Sequence, residues 1–393
     1  MGLTTLYTPT KVTFGEGAEL KAGESLKAFG AKRVLVHYGS ERIVKDGLLN
    51  TILKTLDEND LFHIELGGVV PNPRLSLVKE GIKIVRENNL DFILAIGGGS
   101  VIDSSKAIGY GSVYEGDVWD FYLRTAVPKA SLPVGCVLTM AAAGSEMSDS
   151  SVITNEEGNL KRGCNNDVSR LKFALENPAL TTTLPPYQTA CATVDIMMHT
   201  MERYFTPGVR LELTDNLTFA LLRTAKEAGL KALKDGSDYS ARANLMLSSS
   251  LSHNGLMAMG NETRGDWATH QTEHELSGMF DVAHGAGLAA IWPSWARYVR
   301  AVDRKRFALL GERVFDLQPS GNDEADSLRC IEAFEAFYKQ IGMPIRISDM
   351  GIKLTDKEIE EMAEKATFFG RRKLGGLKLL DKADVIAIFN LAK

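Results

Sequence analysis

Asp91-Phe-Ile-Leu-Ala-Ile-Gly97-Gly98-Gly99-Ser100-Val-Ile-Asp103 sets the fold of the amino-terminal half. Its first part reads as a buried strand that runs straight into three glycines, and the glycines open a helix. Upstream, Arg33-Val-Leu-Val-His-Tyr38 is a β-branched run followed by a polar turn. Leu48, Leu49, Ile52, Leu53 and Leu56 then recur at helical spacing between residues 45 and 59. Phe62-His-Ile-Glu-Leu66 reads as a further strand. Pro71 and Pro73 break the chain before a helix that carries Leu77, Val78, Gly81, Ile82 and Val85. This strand–helix alternation predicts an α/β fold, a doubly wound parallel sheet with helices on both faces. After Leu184-Pro-Pro186 the pattern turns almost wholly helical, over 187–205, 212–232, 238–259 and 265–280. The expected division is a dinucleotide-binding α/β domain at 1–184 and an all-α domain at 185–393, with a cleft between them.

Bulk composition narrows the function classes. A chain of 393 residues with net charge −5 has no basic field or tail for nucleic acid. No apolar run reaches the roughly 18–20 residues of a membrane helix, and the first residues lack a signal-peptide pattern. Four scattered cysteines, Cys136, Cys164, Cys191 and Cys330, show no CxxC spacing, which argues against a disulfide scaffold or a thiolate zinc site. The expectation is a soluble cytoplasmic protein with buried thiols.

Two motifs carry chemistry. Glycines at the carboxyl end of a parallel strand let a pyrophosphate approach the backbone and the start of the following helix. The spacing differs from GxGxxG, so a plain strand–helix turn capped by Ser100 is the alternative reading. Of the seven histidines, five fall between residues 199 and 284. Asp195 and His199 stand i and i+4 on one helical face, and His270 and His274 repeat that spacing. His284 follows at a glycine-rich break. One carboxylate and several imidazoles form a nitrogen/oxygen donor set for a divalent first-row ion, iron or zinc, that can act as a Lewis acid. His37 and His63 read as ordinary core or surface residues. Phe121, Met147, Met259 and Trp267 are candidates for an apolar substrate pocket, or plain core.

Together these residues closely resemble the iron-containing (group III) alcohol dehydrogenases, in their butanol dehydrogenase-like branch, over nearly the whole chain. The resemblance rests on Pro9-Thr-Lys-Val-Thr-Phe-Gly15, similar to the family's opening hairpin, and on the 97–106 and 138–146 stretches. It rests most on Val194-Asp195-Ile-Met-Met-His199, Trp267-Ala-Thr-His270-Gln-Thr-Glu-His274 and Ala283-His284-Gly-Ala-Gly287. It implies a metal-dependent oxidoreductase that moves hydride between NAD or NADP and a small primary alcohol or aldehyde. It further implies that Asp195, His199, His270 and His284 ligate the metal and that His274 relays a proton. Gly97, Gly98, Gly99 and Ser100 would hold the pyrophosphate, with Asp103, Thr139 and Lys161 around the cofactor. Members are commonly homodimers or larger.

Three departures stand out. Relatives often carry Tyr-Gly-Gly-Gly-Ser where this chain has Tyr38-Gly39-Ser40-Glu41-Arg42. Glu41 there favours NAD through the ribose hydroxyl, and Arg42 favours NADP through its phosphate. Ala143 replaces a common threonine, and Cys191-Ala-Thr precedes Val194 where glycine is common. Alternative readings are a polyol dehydrogenase of the glycerol type and a carbon–oxygen lyase similar to dehydroquinate synthase. The lyase would want a basic cluster, for which Lys161, Arg162 and Arg170 are candidates. A non-catalytic dinucleotide sensor is the third alternative.

Overall fold

The structure is a computed structural model and describes residues 3–39, 41–208, 210–261, 263 and 265–393. Its chain forms two compact units. One comprises Tyr7–Leu184 and Ser237–Asn254; the other comprises Pro185–Gly236, Gly255–Lys393 and the N-terminal residues up to Leu6.

The first unit is built on strands β1 (Lys11–Phe14), β2 (Arg33–Tyr38), β3 (Phe62–Leu66), β4 (Phe92–Gly97), β5 (Val134–Leu138) and β8 (Phe173–Glu176). They form a parallel six-stranded sheet in the order β1-β8-β5-β4-β2-β3. This is the doubly wound sheet that the alternation predicts. β4 is buried along its whole length, as a central strand covered on both faces must be. One core packs the helices Leu75–Glu87 and Gly99–Ser112 on one face; the other packs Ala22–Ala28 and Leu48–Asp57 on the opposite face. Strands β6 (Ser150–Asn155) and β7 (Leu160–Asn165) form a separate antiparallel pair.

Two expectations need correction. Pro9–Gly15 does not form a hairpin: Lys11–Phe14 pairs in parallel with Phe173–Glu176, so its partner comes from the far end of the unit. The helix Tyr239–His253 lies in the first unit, although the sequence reading placed it beyond the boundary at 184. Its side chains explain why. Met246 is fully buried in the sheet's core, a burial that contributes about 1.5–3 kcal/mol. The Gly144 amide donates to Ser249 Oγ (3.1 Å), and His253 Nδ1 donates to the Ala143 carbonyl (2.7 Å).

Ser250 Oγ of the same helix lies 2.8 Å from Glu146 Oε1 and 3.1 Å from Glu176 Oε1, both carboxylates being buried. Burial and then repulsion from Glu146 push the Glu176 carboxyl up to about 8. The folded protein therefore holds a proton there that the unfolded chain releases near its ordinary carboxyl range. The associated stability is complete below about pH 4.5 and is lost as pH rises through about 8. Between about pH 5 and about pH 9 the melting temperature of Glu176→Gln should fall less steeply than that of the wild type. Equal slopes would sink this assignment.

The second unit is helical. Pro186–Tyr204 is buried on all sides over residues 189–204, which makes it the central helix of that unit. Around it lie the helices Glu212–Lys234, Ala268–Phe280 and His284–Val299, among others. Among the described residues, no helix is long and apolar enough to cross a membrane.

Candidate metal centre and cofactor turn

Polar side chains inside a helix buried all round are costly unless something pairs with them. The helix Pro186–Tyr204 buries Asp195, His199, Glu202 and Arg203. Asp195 and His199 stand one turn apart, with Oδ1 and Nδ1 3.4 Å from each other. Ala268–Phe280 brings His270 Nε2 to 3.6 Å from the same Asp195 oxygen, and His284 Nε2 lies 3.8 Å from it. Three imidazoles from three helices thus converge on one carboxylate oxygen. The rings of His199 and His270 stack with centroids 4.6 Å apart.

The glycines of Ala283-His284-Gly-Ala-Gly287 make this convergence possible. A Cβ on Gly285 would stand 2.2 Å from the Cys191 carbonyl oxygen, so this glycine lets the helix His284–Val299 abut the central helix. A Cβ on Gly287 would stand 2.7 Å from Glu273 Oε1. Trp267 takes a left-handed conformation (φ 65°) at the start of its helix, a strained choice for a large residue. Its indole packs 5.4 Å from the His270 ring and under the Arg203 guanidinium at 4.6 Å. Asp266 anchors this turn by accepting from the Ala268, Gly376 and Leu377 amides.

The donor set suits a divalent ion. With metal–ligand bonds of about 2.1 Å, ligand atoms of a tetrahedral site stand about 3.4 Å apart, close to the spacings found here. Asp195 Oδ1 and His270 Nε2 are buried and make no hydrogen bond among the described residues. Leaving such atoms unpaired costs about 1–3 kcal/mol each, a cost that a bound cation removes. The pocket also draws positive charge. Burial alone would lower His270, yet the carboxylates of Asp195 and Glu202 outweigh it and hold the imidazole up at about 9. His274 lies one turn beyond His270, half-buried, its ring 5.8 Å from that of His284.

Sequence reasoning missed two residues at this centre. Glu202 Oε1 accepts from His270 Nδ1 (3.1 Å) and from the His270 amide (3.0 Å). Glu273 Oε2 meets His284 Nδ1 in a close ion-paired contact. The signal was available, since Glu202 shares the helical face of Asp195 and Glu273 follows His270 by three residues.

The cofactor candidates lie in the first unit. The helix begins at Gly99 with Gly98 as its cap, so Ser100 sits inside the first turn and does not cap it. A Cβ on Gly97 would meet Val101 at 2.3 Å, and one on Gly99 would meet Ala143 Cβ at 2.7 Å. The backbone around this turn has no space for side chains, and the helix start presents amide groups to an anion. The Thr139 amide donates to the Gly97 carbonyl (3.0 Å), tying the end of β5 to the turn. Gly39 follows the neighbouring β2, where a Cβ would stand 2.6 Å from the Val69 carbonyl oxygen and 3.3 Å from Val101 of the same helix. Ser40 lies outside the described residues. Glu41 is exposed and pairs with Lys45 at 2.7 Å. Arg42 Nη1 donates to Thr183 Oγ1 at 2.5 Å.

Asp103 is tied into the wall beside the glycine helix. Its Oδ1 accepts from Ser145 Oγ (2.5 Å) and its Oδ2 from the Val152 amide (2.9 Å), bracing β6 against the glycine helix. Burial pushes its carboxyl up while Lys106 and Lys161 pull it down, which places the buried Lys161 within electrostatic reach. His37 is buried, bonded to the Leu66 carbonyl and Ser104, and burial holds it down at about 4, a neutral core histidine as expected. Phe121 is part of the first unit's core, edge-on to Tyr110. Lys161, Arg162 and Arg170 belong to the first unit, whereas the metal candidates belong to the second. All four cysteines are buried free thiols.

Comparison with known proteins gives a consistent result. The family model described as iron-containing alcohol dehydrogenase matches residues 9–178, and its C-terminal companion matches residues 189–392. The chain is 40% identical over 385 residues to the probable NADH-dependent butanol dehydrogenase 1 of Bacillus subtilis, covering 98% of each. It is 35% identical over 373 residues to the NADPH-dependent aldehyde reductase YqhD of Escherichia coli, covering 94% of each. The crystal structure of NADH-dependent butanol dehydrogenase A from Thermotoga maritima superposes with a TM-score of 0.96 at 34% identity. That match covers 100% of this chain and 99% of the other.

Proposed function

The chain belongs to the iron-containing alcohol dehydrogenase family, and we propose that Asp195, His199, His270 and His284 hold its divalent metal. It is an NAD(P)-dependent alcohol/aldehyde oxidoreductase, in line with relatives named as butanol dehydrogenases and an aldehyde reductase. The observation that carries the residue assignment is the meeting of three imidazoles at a single oxygen of the buried Asp195.

When bound, the metal supplies Lewis acidity toward an alcohol or carbonyl oxygen, and the nicotinamide gives or takes hydride. The chain's own residues supply position and charge. Gly97, Gly98, Gly99 and Ser100 seat the pyrophosphate through the backbone, with Thr139 fixing the turn's geometry. Gly39, Glu41 and Arg42, at the end of the adjacent strand, are the positions that sort NAD from NADP, with Ser40 between them. Lys161 supplies positive charge near the turn, and Asp103 holds the wall behind it. His274 holds the exchanging proton on its imidazole, one helical turn from His270. Trp267 excludes water from the imidazoles it packs on. The substrate in this reading is a primary alcohol such as butanol or its aldehyde.

The reading includes a cytoplasmic location, which the scattered free thiols favour, and a homodimer or larger assembly, by analogy with the family. The test is anaerobic loading with ferrous iron, followed by absorbance of NADH and of NADPH as butyraldehyde is added. Oxidation of a reduced cofactor should stop with a chelator and return with iron, and the faster of the two identifies the preferred dinucleotide. If neither is oxidised while metal is bound, the aldehyde assignment is wrong.

A further inference from the structure

We infer that Glu202 and Glu273 are positioning carboxylates that orient His270 and His284 toward the metal by each holding the Nδ1 hydrogen of one ring. This rests on the metal assignment above. A neutral imidazole carries one N–H and one lone pair, and whichever nitrogen donates a hydrogen bond leaves the other free to bind a metal. Glu202 Oε1 takes the hydrogen of His270 Nδ1 and also the amide of the same residue, so ring and backbone are fixed by one oxygen. Glu273 Oε2 takes the hydrogen of His284 Nδ1. In both residues the nitrogen left over is Nε2, and in both it is the atom turned toward Asp195 Oδ1, at 3.6 and 3.8 Å.

Both carboxylates are themselves held. Glu202 is 3% exposed on the central helix and Glu273 is fully buried. Glu273 Oε1 lies against Ser277 Oγ, and the missing Cβ of Gly287 leaves room for it. The pair also adds two buried negative charges around a centre that already has Asp195. Such a centre favours a divalent ion over a monovalent one. Carboxylates bonded to metal-ligating histidines raise ligand basicity and fix ring orientation.

The variants are Glu202→Gln and Glu273→Gln, with Gly287→Ala as a third that crowds Glu273 without removing a charge. Metal affinity is read by chelator competition with zinc, and ligand geometry by the visible spectrum of the cobalt-substituted protein. Each variant should bind zinc about 10–100-fold more weakly. Each should also shift the cobalt bands, while NADH binding, which the other unit carries, stays intact. A role in helix packing alone would lower the melting temperature and leave the cobalt bands of the folded protein in place; that result would overturn the inference. Asp195→Asn run in parallel separates the two levels. If it loses metal while the glutamate variants bind normally, the inference fails and the metal reading stands. If Asp195→Asn also binds normally, the metal reading itself fails.

Discussion

Asp195→Asn should leave a folded protein with almost no bound metal and a kcat/KM at least about 1,000-fold lower, a loss of about 4 kcal/mol in transition-state stabilisation. The substitution keeps the side chain's shape and removes its charge. Asp195 Oδ1 faces His199, His270 and His284 together, at 3.4, 3.6 and 3.8 Å. Three imidazoles without the carboxylate retain donor nitrogens but lose the charge that balances a divalent ion in a buried site. Metal content by elemental analysis and turnover with aldehyde and reduced cofactor are the measurements. The far-ultraviolet circular dichroism spectrum and the melting temperature serve as the control for folding, because Asp195 sits in the helical unit. Wild-type metal content with wild-type turnover would falsify the ligand assignment.

The second large effect is expected at the cofactor turn. Gly99→Val should weaken NADH binding at least about 100-fold, roughly 2.8 kcal/mol, with metal content unchanged. Even a single methyl at this position would sit 2.7 Å from Ala143 Cβ, and valine adds two more groups at the start of the helix. The first-turn amides, which a pyrophosphate needs, would be covered. Binding is read from NADH fluorescence and from the KM for the cofactor. An unchanged KM would show that the pyrophosphate sits elsewhere. Gly99→Ala combined with Ala143→Gly refines the result: recovery of affinity assigns the defect to crowding against Ala143, and no recovery assigns it to occlusion of the seat.

The parts of this protein that were legible in its sequence are those where one physical requirement dominates. A central parallel strand must be apolar throughout, so Phe92–Gly97 was readable to within a residue, and the glycines after it marked the turn. Helical periodicity gave Pro186–Tyr204 and Ala268–Phe280 within a few residues, and with them the facing Asp195, His199, His270 and His274. The β6–β7 pair was not legible because Ser150–Asn155 and Leu160–Asn165 carry mostly polar side chains, with no apolar alternation to announce a strand. The parallel pairing of Lys11–Phe14 depends on a partner some 160 residues away, which local pattern cannot supply. Placement of Tyr239–His253 failed for a related reason. Its periodicity declares a buried face without saying which core receives it. Glu202 and Glu273 went unnoticed because a glutamate in a helix is usually a solvated charge, and only burial shows otherwise.

That placement of Tyr239–His253 has a consequence for biosynthesis. The first unit is not a continuous length of chain: it stops at Leu184 and is completed only by Ser237–Asn254. A nascent chain that has emerged through residue 184 has every strand of the sheet but lacks Met246 from its core. It also lacks the serine that separates Glu146 from Glu176. Synthesis of the next 70 residues takes roughly 4–14 s at about 5–20 residues per second. Through that interval the first unit has neither Met246 in its core nor Ser250 between its two buried carboxylates. The order of translation therefore imposes a pause in maturation that the finished fold no longer displays.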